Sequence, residues 1–311
     1  MTDAAIAELT TPPDPFDAGG DVGEARSLAS DAWRSMRRNP MFWISASMIF
    51  VFVLMAIWPS LFTSIDPTEA VLSKSRAKPS ADAWFGRNIQ GYDIYARCIY
   101  GARSSILVGL LATSGTVIIG SAMGVIEGYR GGWVDAVLSR IGDVFFAIPL
   151  LLGAIIILVS LPQAFSSSYI LIVLKVAIAL IVLGWPSIAR LMRSSVIQVK
   201  PNDYVQAARA LGASPWRVVR SHILPNALAP VIVVSTINLG AYIAAEATLS
   251  FLGIGLQPPA ISWGIDISSA IVGLRTTPHM LFFPSLFLSL TVLAFIMLGD
   301  VVRDAIDPKN R

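Results

Sequence analysis

The sequence predicts an all-α, polytopic membrane protein with six transmembrane helices. Hydrophobic residues fill 55% of the 311 positions, charged residues only 14% against about 25% in soluble domains, and mean hydropathy is +0.68. Six apolar runs are each long enough to cross a hydrocarbon core of about 30 Å at about 1.5 Å per residue. Lys and Arg collect between those runs, as topology markers do. The pI near 9.1 is therefore read as membrane orientation, and no nucleic-acid partner is expected. One cysteine, Cys98, and two histidines exclude an intramolecular disulfide and leave too few soft ligands for a structural zinc site.

Residues 1–40 are expected to form a disordered cytoplasmic tail, since up to residue 33 seven acidic side chains face only Arg26 and no apolar periodicity is sustained. Arg34, Arg37 and Arg38 then precede the first span, 41–62. A cleaved signal peptide is a poorer reading, because the run starts late, is long and lacks a small-x-small exit. An extracytoplasmic loop is expected over 63–103 and the remaining membrane core over 104–303. Its runs are Ser104 to Ile126, Val144 to Leu161, Tyr169 to Ala189, Ala227 to Phe251 and Met280 to Gly299, followed by a short cytoplasmic tail, 304–311. With the N-terminus inside, 15 Lys and Arg fall on the cytoplasmic side and 7 outside, which places both termini in the cytoplasm. Gly120, Gly124 and Gly128 make a small-xxx-small stripe that suits close helix packing, within the bundle or against a partner subunit. Pro149, Pro186 and Pro230 mark helix ends or kinks.

The cytoplasmic segment 200–225 carries the most information. Asn202 or Asp203 suits a helix N-cap, and Tyr204, Ala207, Ala208 and Leu211 then share one face. Gly212 suits a left-handed stop. Ser214 and Pro215 open a second helix, whose apolar stripe is Trp216, Val219 and Ile223 and which Pro225 ends. Two short amphipathic helices meeting at a glycine elbow have three uses: an anchor on anionic lipid, an internal packing element, or a knob on which a soluble subunit docks.

The same segment resembles the signature of binding-protein-dependent ABC importer permeases: Gln206-Ala207-Ala208, Gly212, then Ile223-Leu224-Pro225. From about Trp84 to Pro308 the chain is similar to the C-type permease of the dipeptide/oligopeptide and nickel subfamily. The similarity runs through Ile99 to Arg103, Gly128 to Asp135, Tyr204 to Ser214, His222 to Asn226, Ala245 to Gly255, Gln257 to Pro259, Ser262 to Gly264 and Leu298 to Pro308. Two departures stand out. Gln206 occupies the place of the signature's usual glutamate, and Gly86 to Asp93 lacks the arginine that normally precedes Asp93, where this chain has Tyr92.

The resemblance implies a type I ABC importer permease fold and a transport subunit without catalysis or cofactor of its own. It implies pairing with a homologous second permease, two ATP-binding cassette ATPases that supply the ATP and Mg chemistry, and an extracytoplasmic peptide-binding protein. The ATPase-coupling residues are then Asp203, Tyr204, Gln206, Ala207, Ala208, Arg209, Leu211, Gly212, Ser214, Ile223, Leu224 and Pro225. Glu246, with Asn238 and Ser250 on the same run, is a candidate for the translocation path, although a structural hydrogen-bonding role suits Glu246 better. The segments Thr63 to Arg103 and Gly253 to Met280 are expected to meet the binding protein. No Gly-x-x-x-x-Gly-Lys-Ser/Thr loop occurs, so phosphates are not cradled here by that route. Nickel chelates, haem or glutathione remain alternative cargoes, and a self-contained secondary transporter or channel is the rival from another class.

Overall fold

A computed structural model describes residues 28–162 and 168–306. The described chain is helical with no extended sheet, and its helices are α1 (Leu28–Arg38), α2 (Pro40–Ile57), α3 (Ile94–Arg130), α4 (Gly132–Phe146), α5 (Leu150–Ser160), α6 (Tyr169–Val199), α7 (Asp203–Ala210), α8 (Pro215–Val218), α9 (Leu224–Phe251), α10 (Trp263–Ala270) and α11 (His279–Ile306). Among the described residues five stretches are long and apolar enough to cross a membrane, and the α4–α5 pair makes a sixth if counted as one broken span.

The first expected boundary moves. Residues 28–38 are helical where an irregular tail is expected up to residue 40; residues 1–27 lie outside the described residues. Trp33 meets Phe42 edge-on at 5.7 Å and the indole of Trp43 donates to the Arg37 carbonyl, so α1 is fastened to the start of α2 by aromatic side chains. Asn39 caps α2 by accepting from the Met41 N–H at 2.9 Å, with Pro40 in the first turn. α2 stops at Ile57, short of the expected residue 62, because Pro59 follows.

α3 begins ten residues before the expected span, at the cap Asp93, and runs 37 residues, about 55 Å. The last ten residues of the expected loop 63–103 are therefore helical, and the part before them is held by its own hydrogen bonds. The Asn88 side chain accepts from the backbone of Gln90 and Tyr92. Asp66 accepts from the hydroxyl and the N–H of Thr68, which together hold its carboxyl below the usual carboxylate range. Arg97 pairs with Asp266 at 2.7 Å and the Trp263 indole donates to the Cys98 carbonyl, so α10 is pinned to the first turns of α3.

The third expected span is not one helix from Val144. Gly131 and Gly132, both with positive φ, turn the chain out of α3 into α4, and α4 meets α5 at 88°. Pro149 causes the break: it has no N–H to give and biases Ile148 away from the helical region. By contrast Pro186, Pro230 and Pro284 lie inside helices. α4 is strapped to α6 by two ion pairs. Arg193 grips Asp135 with two parallel bonds of 2.5 and 2.7 Å, and Arg190 meets Asp143 at 3.0 Å, beside a cavity of about 290 Å³ that Glu127 also lines.

The bundle is organised around α3, which packs along α6 and α9, while α2 and α11 close the other side. One core joins Val108 and Ala112 of α3, Leu158 of α5, Val176 and Leu180 of α6 and Leu249 of α9. The glycine stripe faces inward onto α6. A Cβ at Gly124 would fall 2.3 Å from the Ala189 carbonyl oxygen, and those at Gly120 and Gly128 would meet Ile188 and Val196. Phe50, Ile118, Ile156 and Val159 stay exposed on the outside, as a surface facing lipid or another membrane subunit requires.

Gly124→Val is therefore expected to push α3 away from α6 and to cost about 1–3 kcal/mol or more. Thermal unfolding of the detergent-solubilised chain should show a clearly lower midpoint, whereas Ile118→Val on the exposed face should leave it unchanged.

Candidate functional site

α6 emerges from the bundle at Val199 and is followed directly by the elbow. α7 starts at Asp203, with Asn202 in the cap position accepting from the Val205 and Gln206 N–H groups through its backbone carbonyl. α7 ends in a Schellman turn: Ala213 N–H reaches back to the Ala208 carbonyl, Gly212 N–H to Arg209, and Gly212 sits at φ +82°. Ser214 then caps α8, accepting from the Arg217 N–H at 3.4 Å, with Pro215 in the first turn.

The second helix does not end at Pro225. Val219–Ile223 form a π turn in which the Leu224 N–H donates to the Val219 carbonyl, and the helix continues through α9. A turn of five residues widens the helix just before Pro225, where an ordinary turn would set the proline ring against the carbonyl of Ser221. The widened turn also shifts the register by one residue. Ile223 consequently lines up with Val218, and both are fully buried, while Trp216 of the expected stripe is 71% exposed and Val219 only half-buried.

The elbow has two unlike faces. Inward, Val205, Val218 and Ile223 are all at 0% exposure and join Ile188, Met192 and Val196 of α6 and Ala227 and Val231 of α9 in one core. Each such side chain contributes about 1.5–3 kcal/mol by leaving water. The elbow is also fastened to the end of α3. Lys200 donates to the Tyr129 carbonyl at 2.7 Å, and the guanidinium of Arg209 lies 5.2 Å from the centre of the Tyr129 ring. Outward, Leu211 is 88% exposed, Tyr204 is 42% exposed, and Asp203, Gln206, Ala207, Gly212 and Ser214 are exposed as well. Ala208 and Arg209 lie half-buried at the edge, Leu224 is half-buried, and Pro225 is exposed at the start of α9. Gln206 donates from its side-chain amide to the Lys200 carbonyl at 3.1 Å, a bond that an ionised glutamate has no proton to make.

Sequence periodicity missed Val205, Val218, Lys200 and Tyr129. Val218 falls off the expected stripe because of the π turn, Val205 because α7 turns a face other than Tyr204, Ala207 and Leu211 toward the bundle, and the last two meet across 71 residues. Glu246, Ser250 and Asn238 lie elsewhere, on α9. Glu246 is fully enclosed: the Ser250 hydroxyl donates to it at 2.7 Å and itself accepts from the Leu256 N–H. Asn238 is half-buried. Among the described residues no group of three or more His, Cys, Asp or Glu is placed to hold a metal ion.

Comparison with known proteins agrees with this geometry. Residues 116–311 match the family described as binding-protein-dependent transport system inner membrane component, and residues 27–79 match the N-terminal transmembrane domain of oligopeptide transport permease C. The chain is 37% identical to the dipeptide transport system permease protein of Alkalihalophilus pseudofirmus, with 90% of each chain covered. It is 37% identical to the oligopeptide transport system permease protein of Bacillus subtilis, with 92% of this chain and 91% of that one covered, and 34% identical to a glutathione transport system permease protein of Escherichia coli, with 92% of each covered. A chain of the MetNI methionine ABC transporter in an inward-facing conformation superposes with a TM-score of 0.55 at 21% identity, over 67% of this chain and 96% of that one, which shows the fold. An all-α bundle with a glycine elbow between its long helices, matched over most of its length, belongs to the inner membrane components of binding-protein-dependent transport systems, as a type I ABC importer permease and a transport subunit rather than an enzyme.

Proposed function

We propose that this chain forms half of the translocation path of an ATP-driven importer for dipeptides or oligopeptides in the inner cell membrane, paired with a homologous permease. Both termini lie in the cytoplasm. Two ATP-binding subunits, which hold the ATP and Mg, dock one on each permease, here on the outward face of the elbow. A peptide-binding protein delivers cargo at the opposite, extracytoplasmic end.

The observation that carries this reading is the two-faced elbow. Val205, Val218 and Ile223 lock it into the bundle, while Leu211 and Tyr204 present apolar surface away from it. A partner that packs on Leu211 therefore pushes directly on α6 and α9, and the pair of ion bridges carries that movement to α4. Rocking of one permease against the other then switches the path between inward- and outward-facing states. The peptide cargo is supported by the dipeptide and oligopeptide permeases at 37% identity; the glutathione relatives at 34% fit the alternative cargo, glutathione.

Gly212→Val tests the elbow. Nothing stands within 4 Å of a Cβ at this site, so the substitution brings no clash, only the strain of a β-branched residue at φ +82°. That strain, about 1–2 kcal/mol, should reshape the turn and uncouple ATP hydrolysis from peptide uptake, while Gly212→Asn, which tolerates the left-handed region, should keep coupling. Uptake and ATPase rates of the reconstituted complex decide it: wild-type coupling in the valine variant would count against the elbow as the transmission point. Reconstituted alone, the chain should move no peptide; uptake by this chain alone would identify a self-contained transporter instead.

A further inference from the structure

Asp93 is a feature that transport through the elbow leaves unexplained. It stands at the start of α3, and Lys200 bonds to Tyr129 near the other end of that helix, so about 55 Å of helix separates Asp93 from the elbow. Its Oδ1 accepts the capping bond from the Ala96 N–H at 2.9 Å. Its Oδ2 is buried, in a residue only 1% exposed, and has no hydrogen-bond partner. Asp93 lines a cavity of about 300 Å³ together with Phe62, Thr63, Asp82, Trp84 and Tyr95. Trp84 is 64% exposed, and its ring centre is 5.0 Å from that of Tyr95, whose hydroxyl is tied down by donation to the Phe62 carbonyl.

The chemistry of this cavity is selective. Among the described residues no basic side chain forms an ion pair with Asp82 or Asp93; Arg97, one turn on, is taken by Asp266. The backbone N–H groups opening α3 offset part of the charge of Asp93, and Asp82 restores a net negative field. Two carboxylates beside two aromatic faces, with no third carboxylate, histidine or thiol to complete a metal set, suit an organic cation better than a metal ion. An ammonium in the cavity supplies a charge for the carboxylates of Asp82 and Asp93 and for the exposed ring of Trp84, and the donor that Oδ2 lacks once the Asp93 side chain turns toward it.

We propose that this cavity binds a primary ammonium, supplied either by the free amino terminus of the cargo or by a lysine side chain of the protein that delivers it. The assignment of these two sources rests on the peptide-importer reading; the site itself does not. Trp84 reports on the site directly. In the purified chain carrying fluorinated tryptophan, the resonance that disappears in Trp84→Leu should shift with ethylammonium chloride and not with sodium chloride at equal ionic strength. The shift should be lost in Asp93→Asn, which keeps the capping acceptor, and weakened in Asp82→Asn. A Trp84 resonance that responds equally to the two salts overturns the site, whatever the chain transports.

The complete transporter in proteoliposomes then separates the sources. If a lysine is the occupant, Asp93→Asn should raise about tenfold the concentration of binding protein that half-saturates ATPase stimulation, about 1.4 kcal/mol. If the cargo is the occupant, docking should stay unchanged and the preference for free over N-acetylated peptide should fall about tenfold. Both quantities unchanged in a complex that imports peptide would overturn an ammonium role in transport and leave the importer intact. A wild-type complex that imports no peptide would instead defeat the importer reading, with the tryptophan titration still deciding the site.

Discussion

The seam between α3 and α6 depends on side chains that are absent. Gly120, Gly124 and Gly128 put a bare strip of backbone on α3, and α6 lies against it so closely that a single methyl at Gly124 would meet the Ala189 carbonyl. In lipid, where the hydrophobic effect does not draw helices together, this close approach supplies the van der Waals contact that fixes them. Everything else is referred to that seam. α9 and α2 pack on α3, α4 is strapped to α6 by Arg190 and Arg193, and the elbow is a continuation of α6 whose first residue, Lys200, bonds back to the end of α3. One rod of two helices thus joins the elbow to the opposite end of the molecule.

Such a rod explains the division of labour within the elbow. A segment that only packed internally would bury its apolar residues, yet Leu211 and Trp216 remain mostly exposed. A segment that only held a lipid surface would have no need of Val205, Val218 and Ile223 locked among α6 and α9. The combination of a fixed inner face and an exposed apolar outer face suits the docking proposed for it: the inner face would transmit a load and the outer face receive it. Gln206 fits the inner task, because its amide proton closes a bond to the Lys200 carbonyl that holds the start of α7 to the end of α6.

Local signals were legible in the sequence and register was not. The apolar runs announce the spans because length and hydropathy are properties of a single segment, and Gly212 announces the elbow because a left-handed stop favours glycine. The π turn at Val219–Ile223 leaves no compositional trace, yet it moves the buried stripe from Trp216 to Val218. Pro149 signalled an interruption, but its outcome, an 88° corner rather than a kink, depends on how α4 and α5 each pack on the rest of the bundle, which a local signal does not carry. The order of the outer loop was equally hidden, because Arg97 meets Asp266 across 169 residues of chain.

The placement of charge follows the same logic. Arg97 and Asp266 are buried together at one end of α3, where the pair pins α10 and leaves little surface for water. Arg190, Arg193, Asp135 and Asp143 lie at the other end, partly in solvent, where ion pairs are weaker and exchange partners at low cost. A buried pair resists separation because either charge alone would be stranded, so the outer end of α3 is suited to stay fixed. The more exposed ladder from Arg193 to Asp135 and from Arg190 to Asp143 keeps α4 moving with α6. Under the proposed docking, a push on the elbow would be taken up at the elbow end of the bundle, at the α4–α5 corner, while the cavity around Asp93 keeps its shape.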